Sequence, residues 1–516
     1  MSATRSIFFG ATASWFSRGV TILLGLVLLP VLFRTLPKEE LGVWLLLGQT
    51  WASFGILDLG FGVTLTRHIA FAKGKSGSDP NTRLTASTLQ EIADLLSTGC
   101  RIYRVLSVVS LLLAFTLGAF YLRTLTLIDV PAVSVWSAWT ILCVSFALNI
   151  WATPWTCLLQ GVGYVGWDAL LNSFVNALTL VGQIIAALLG GGLVSLAIIA
   201  VAGALAQRFV FFAFARRNRP ELFHLKGTWQ ADAFRHMCPL ALRAWVTAVG
   251  GSLILYTDQF VIASLEGAAE LPSYRAAWVL VHNLTIVAIT FGAASSVFVS
   301  HLWQEQKFAQ VHRLLLRNIR LGWLVMLGSS TVLCFAGKSL FDIWLGPGHF
   351  VGLPLLIAFL ITETLETQCY IIACATRATG DEAFPFSSLA AGLVKIVLSV
   401  NLAARFGLLG VAFGTLFALL VTNHWYVPWR GLTRLRFSKS QFLRDAVLPC
   451  VAFTTPAALL VALFQNQVGE GMPRVQLAIT VLITALCFVM GLWWLVLERS
   501  HRERFWQWCR RTPVET

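Results

Sequence analysis

The sequence predicts an all-α polytopic membrane protein with about 14 transmembrane helices. Three observations predict it. Of 516 residues, 57% are hydrophobic and only 12% are charged, about half the charged share of an average soluble chain. The mean hydropathy is +0.75. Apolar runs long enough to cross a hydrocarbon core, which takes about 20 residues, recur along the whole chain. This composition excludes a soluble enzyme, a disordered protein and a nucleic-acid-binding domain, even though the formal net charge is +14.

The runs lie near 8–33, 41–66, 105–127, 132–159, 166–189, 193–215, 241–264, 273–300, 317–337, 353–375, 386–404, 409–429, 445–465 and 475–497. The first is too long for the apolar region of a signal peptide and is read as a retained span. Gly190, Gly191 and Gly192 are all that interrupts 166–215. Helices are expected because lipid-facing backbone must satisfy its own hydrogen bonds. The alternation expected of a membrane barrel is absent. The longest connectors, near 67–104 and 216–240, are basic and too short for an extramembrane catalytic domain.

Charge sets the expected orientation. With a cytoplasmic N-terminus, 27 Lys and Arg fall in or beside inner loops and 6 in outer ones. Basic loops stay on the cytoplasmic side, so both termini are expected there, in a bacterial inner membrane. The run from Arg499 to Arg511, with Trp506 and Trp508, reads as an interfacial amphipathic tail. The ten Cys are scattered and predict neither a disulfide framework nor a metal site.

The remaining five basic residues, Arg18, Arg208, Arg243, Arg275 and Lys395, fall within spans. An ionisable group there costs at least about 2.5–3.5 kcal/mol and needs a partner or a wet cavity. Arg18 lies about ten residues into the first span and His282 is similarly deep in the eighth. Arg cannot shed its proton, and its planar fork suits phosphate. Arg18, His282, Arg243, Arg275 and Lys395 are therefore the candidate cavity residues for a pyrophosphate. Glu363 and Glu366 share a face at i, i+3. With Asp58 and Asp258 they are candidates for carrying a coupling proton or Na⁺. Each also has a structural reading. Lys395 can pair with Glu363 or Glu366. Asp58 can bond locally beside Gly60 and Gly62. Asp258 can pair with Arg275. Arg243 and Arg208 can reach the cytoplasmic interface, and His282 can be a neutral helix-contact residue. No cofactor is expected, and without a P-loop glycine–lysine motif ATP hydrolysis by this chain is not either.

Two segments share an organisation: Arg18 through Pro37, Glu39, Glu40, Gly42 and Trp44, and Arg243 through Asp258, Glu270, Pro272 and Tyr274. Each has a long span, an acidic turn and a second span with an aromatic near its start. That suggests two six-span halves. The opening residues carry a resemblance as well. "LGLVLLPVLFRTLPKEELGVWLLL" at 24–47 and "FGILDLGFGVTLTRHIA" at 54–70 are similar to the polysaccharide flippases. These are the Wzx-type members of the multidrug/oligosaccharidyl-lipid/polysaccharide exporter superfamily. The elements are Pro37, Gly42, Asp58-Leu59-Gly60-Phe61-Gly62 and Arg67, echoed at Asp258-Gln259-Phe260 and Pro272-Ser273-Tyr274.

The resemblance implies two pseudo-symmetric six-helix lobes around a central cavity plus a C-terminal helix pair. The expected division is 1–225, 226–438 and 439–516. It implies alternating-access transport, with no catalytic residue, of an undecaprenyl-pyrophosphate-linked oligosaccharide destined for O-antigen, capsule or exopolysaccharide. Membrane lipids, and polysaccharide polymerase or export machinery, would be its partners. It carries over no binding residue, so the candidates above rest on depth and charge. The competing readings are a multidrug cation antiporter of the same fold and, further off, a polysaccharide polymerase or ligase. The outer loops are too short for the latter and lack a paired carboxylate set.

Overall fold

The structure is a computed structural model. It describes residues 3–76, 82, 84–125, 127–381, 383–465 and 473–497. The basic tail expected at Arg499–Arg511 lies outside them, as does the Arg243 side chain. The described residues form sixteen α-helices and no strand. The chain divides into two compact units, Met1–Pro272 and Ser273–Thr516.

The first unit holds α1 (Ala3–Thr35), α2 (Lys38–Ser53), α3 (Phe61–Gly74), α4 (Ala86–Thr124), α5 (Ala132–Val162), α6 (Val165–Leu188), α7 (Leu193–Asn218) and α8 (Ala231–Leu265). α1 packs along α6, α5 lies against α3, α4 and α7, and α8 meets α2 and α3. Small residues let these helices approach closely. At Gly118 on α4 the Trp139 indole of α5 fills the space a Cβ would need. The acidic turn before α2 acts as an anchor. Glu39 accepts hydrogen bonds from the backbone N–H groups of Ile128 and Asp129, at 3.1 and 2.6 Å. Glu40 accepts from Leu193 N–H at 3.1 Å, at the start of α7. A carboxylate there meets free amides and the positive end of the helix dipole. The two turns matched by the internal repeat also touch. Gly42 lies against the Ala268 carbonyl so closely that any Cβ would collide with it.

The second unit holds most of α9 (Leu271–Gln304), then α10 (Phe308–Trp344), α11 (Leu353–Arg377), α12 (Pro385–Val421), α13 (Asn423–Arg434), α14 (Lys439–Phe442), α15 (Leu448–Gln465) and α16 (Pro473–Gly491). α10 packs on α11, α15 and α16, and α11 on α12 and α13. Arg320 of α10 ties down the last helices. Its Nε and Nη2 donate to the Asp445 carbonyl at 2.8 and 2.6 Å, and its Nη1 to the Leu495 carbonyl at 2.7 Å. Both carbonyls sit in π-helical turns, Leu443–Val447 and Leu492–Val496. Such turns free carbonyl oxygens from the regular ladder.

Twelve described helical runs are long and apolar enough to cross a membrane, against fourteen expected spans. The difference has two sources. The expected span 41–66 is broken into α2, a 3₁₀ turn at Phe54–Asp58 and α3, with left-handed Leu59 and Gly60 at φ 52° and 75°. The expected spans 386–404 and 409–429 form one helical run, bent at Gly407, whose φ of 57° and ψ of −138° suit glycine. The connector read at 67–104 is largely helix. α4 begins at Ala86 and has 39 residues, about 58 Å of rise, longer than a bilayer core is thick. Its polar turns keep the helical period outside the apolar window that hydropathy detects. Large side chains such as Phe120 and Phe209 are 74% and 72% exposed, as expected of a lipid-facing surface.

Candidate functional site

On α9, Arg275, Trp278 and His282 are spaced i, i+3 and i+7, which puts them on one face. The Arg275 guanidinium carbon lies 4.5 Å from the Trp278 ring centroid. Trp278 and His282 stack, with centroids 4.4 Å apart and planes at 11°. His282 Nδ1 is 3.3 and 3.4 Å from the two carboxylate oxygens of Glu363 on α11. Glu363 itself is 7% exposed. A column therefore runs from a cation through two flat rings to a buried carboxylate. One end of the column carries the Arg275 charge, itself held in a further contact, beside an aromatic face, and the other end sets an imidazole against a carboxylate.

The second acid of α11 is used differently. Glu366 is half-exposed and lies 3.5 Å from Nε2 of the buried His424, an ionic distance. His424 follows the break at Thr422 (φ −115°, ψ −82°) that separates α12 from α13. Lys395 on α12 is fully buried and held in a polar or ionic contact. Of the residues read as candidates, the second unit thus brings His282, Arg275 and Glu363 together, and partners Glu366 with a residue that the sequence reading missed.

In the first unit the candidates stand apart. Arg18 is exposed on α1, two residues into the described apolar run beginning at Phe16. Asp58 is used locally, accepting from the Tyr103 hydroxyl and from Gly62 N–H at 3.1 Å. Asp258, 6% exposed on α8, is also engaged. Arg208 lies over the Trp151 ring and donates to the Trp151 carbonyl at 3.1 Å.

A cavity of about 350 Å³ opens within this unit, lined from α1, α2, α5, α6 and α7. Every side chain lining it is uncharged. The polar ones include Asn149, Asn176, Gln183 and Gln207, beside Trp44 and Trp51. Among the described residues no three His, Cys, Asp or Glu side chains are grouped to hold a metal.

Depth and charge along the chain single out neither Trp278, nor His424, nor the cavity amides. The spacing of Arg275, Trp278 and His282 was visible and could have revealed the column. The amides on five helices share no spacing, and only the tertiary fold brings them together.

The family model for polysaccharide biosynthesis proteins matches residues 10–299. Among curated proteins nothing matches the chain. Among solved structures it resembles the lipid II flippase MurJ in an inward closed conformation, at TM-score 0.72 and 15% identity over 94% of this chain and 98% of that one. An inward-facing MATE-family multidrug resistance transporter of the MOP superfamily gives TM-score 0.66 at 13% identity, covering 83% of this chain and 98% of that one. A MOP-superfamily transporter from Pyrococcus furiosus, described as having a binding pocket of reversed polarity, gives 0.58 at 14% identity, over 84% and 96%. With this fold and the match over 10–299, the chain belongs to the polysaccharide biosynthesis protein family and is a multi-pass membrane protein of the MOP-transporter fold.

Proposed function

We propose that the chain is a flippase. It moves an undecaprenyl-pyrophosphate-linked oligosaccharide from the inner to the outer leaflet of a bacterial cytoplasmic membrane by alternating access. Family membership supports the substrate class, and the distribution of 27 inner against 6 outer basic residues supports the orientation. The observation that carries the reading is the column Arg275–Trp278–His282–Glu363. A guanidinium binds phosphate oxygens in pairs, and an indole face suits a sugar ring or a cation-bridged headgroup. The His282–Glu363 pair accounts for coupling. An imidazole and a carboxylate in contact can each carry a proton, which is what a proton-coupled step requires. Arg18, exposed on α1 of the first unit, is a separate candidate for a phosphate contact.

The test uses the full chain in proteoliposomes carrying a fluorescent lipid-linked oligosaccharide. A membrane-impermeant reductant bleaches only the outer leaflet. Accelerated loss of the protected fraction supports the reading, and a rate equal to that of protein-free vesicles overturns it. Arg275→Ala and His282→Ala should each slow movement about tenfold or more. Arg18→Ala should slow it too, with Arg18→Lys intermediate; wild-type rates in both remove Arg18 from the site.

The likeness to multidrug transporters and the half-exposed Glu366 carboxylate favour a second reading, an antiporter of organic cations. Accumulation of a cationic dye, raised by deleting the protein and restored by expressing it, would support that reading over the first.

A further inference from the structure

We infer that the cavity inside the first unit is a subsite for a neutral, hydroxyl-rich ring, a single sugar residue. The inference rests on the flippase reading and deepens it by giving the glycan a place separate from the charged column. The lining decides the ligand class by elimination. An anion would find no cation there and a cation no carboxylate, because every lining side chain is uncharged. An apolar guest would strand the polar groups, which costs about 1–3 kcal/mol each.

Those groups are ready for a partner. Gln183 is 7% exposed and lines the cavity, and its side-chain amide hydrogen-bonds to no described residue. The buried Trp51 Nε1–H has no acceptor among the described residues. Asn149 and Gln207 each donate one amide N–H, to the Ser145 carbonyl at 3.1 Å and to Asn172 Oδ1 at 2.7 Å. Their own carbonyl oxygens remain as acceptors. Donors and acceptors mixed around indole rings are what alternating hydroxyls and an apolar ring face require. Gly48 keeps the space open: a Cβ built there meets no atom within 4 Å.

The test measures binding of methyl glucoside and methyl N-acetylglucosaminide to the full chain in nanodiscs, by ligand-observed saturation-transfer NMR. Glucuronate and tetraethylammonium serve as charged probes. Saturable binding of the neutral glycosides near the millimolar range is expected, with the charged probes about tenfold weaker or absent. Gly48→Leu, which fills the space, and Gln183→Leu, which removes the unpartnered amide, should each weaken binding at least about tenfold. Gln183→Leu decides the matter if Gly48→Leu does not fold. Absence of saturation by the neutral glycosides, or wild-type affinity in Gln183→Leu, overturns the inference. The two ideas fail separately. Lipid-linked oligosaccharide movement without glycoside binding leaves the flippase reading standing, and glycoside binding without movement leaves the subsite standing.

Discussion

In the second unit acidic side chains lie against imidazoles. Glu363 faces His282, Glu366 faces His424, and Arg275 covers the ring that supports His282. In the cavity of the first unit the polar groups are amides, hydroxyls and indoles, and none carries charge. The difference lies in what each set can do without moving. An ionic pair changes its net charge when a proton binds, so it can translate a gradient into a structural preference. An amide lining has one charge state at every pH and can only recognise. The column therefore suits energy coupling and phosphate binding, and the cavity suits recognition of a neutral group.

The sharpest way to break this comparison is Glu363→Ala. Removing one partner of a buried charged pair typically costs about 3–5 kcal/mol of stability. Transport should fall by at least about 100-fold where that pair carries the coupling. Glu363→Gln preserves shape and removes the charge change. It should flatten the dependence of transport rate on pH if the pair carries the proton. Denaturant unfolding in detergent reads the first effect, and the proteoliposome rate at several pH values the second. A Gln variant with the wild-type pH profile takes coupling away from this pair.

The second effect separates the column from the scaffold of its own unit. Arg320 makes three donor contacts to carbonyls in the two π-helical turns. Hydrogen bonds to charged groups contribute about 1.5–3 kcal/mol each. Arg320→Ala should loosen the region from Leu443 to Val496 by about 3 kcal/mol while leaving the His282–Glu363 distance unchanged. Hydrogen exchange localised to those helices is the expected readout. Equal loosening of α9 and α11 would mean that the column and the last helices are not independent.

A third substitution carries the comparison to a carboxylate of the first unit. Asp58 is held by the Tyr103 hydroxyl and Gly62 N–H. Tyr103→Phe leaves one carboxylate oxygen short of a donor, a loss of about 1–2 kcal/mol. Transport per folded molecule should be unchanged. A change in its pH dependence would place Asp58 among the coupling groups, and the contrast between the units would weaken.

Helix existence was legible because apolar runs are long and repeat, and the triple glycine at 190–192 does end α6 before α7 begins. The breaks were less legible. Leu59 and Gly60 read as part of a continuous apolar run, since hydropathy is blind to a positive φ, and Gly407 sits between two such runs without announcing a bend. The site was legible to the extent that depth and charge define it: His282, Arg275 and Glu363 were all candidates, and they meet. Their arrangement was not, because the distance between α9 and α11 is a tertiary fact. The cavity amides were invisible for a related reason. Asn and Gln are ordinary in helices, and nothing along the chain distinguishes an unpartnered one from a bonded one.

The smallest expected effect tests what the cavity amides are for. A buried amide that anchors the fold loses its hydrogen bonds when replaced, and stability falls. The Gln183 side chain makes no hydrogen bond to a described residue and lines the cavity, so Gln183→Leu exchanges a cavity-facing amide for an apolar side chain of similar size. Such an exchange is neutral or mildly stabilising, within about 0.5 kcal/mol of wild type. The midpoint of thermal unfolding should therefore stay within experimental error, in contrast to the large shift for Glu363→Ala. A fall in stability of more than about 1 kcal/mol would make Gln183 a structural residue. The polarity of the cavity would then belong to the fold rather than to a ligand. An unchanged midpoint together with lost glycoside binding would mean that polarity kept inside a membrane without stabilising it is kept for recognition.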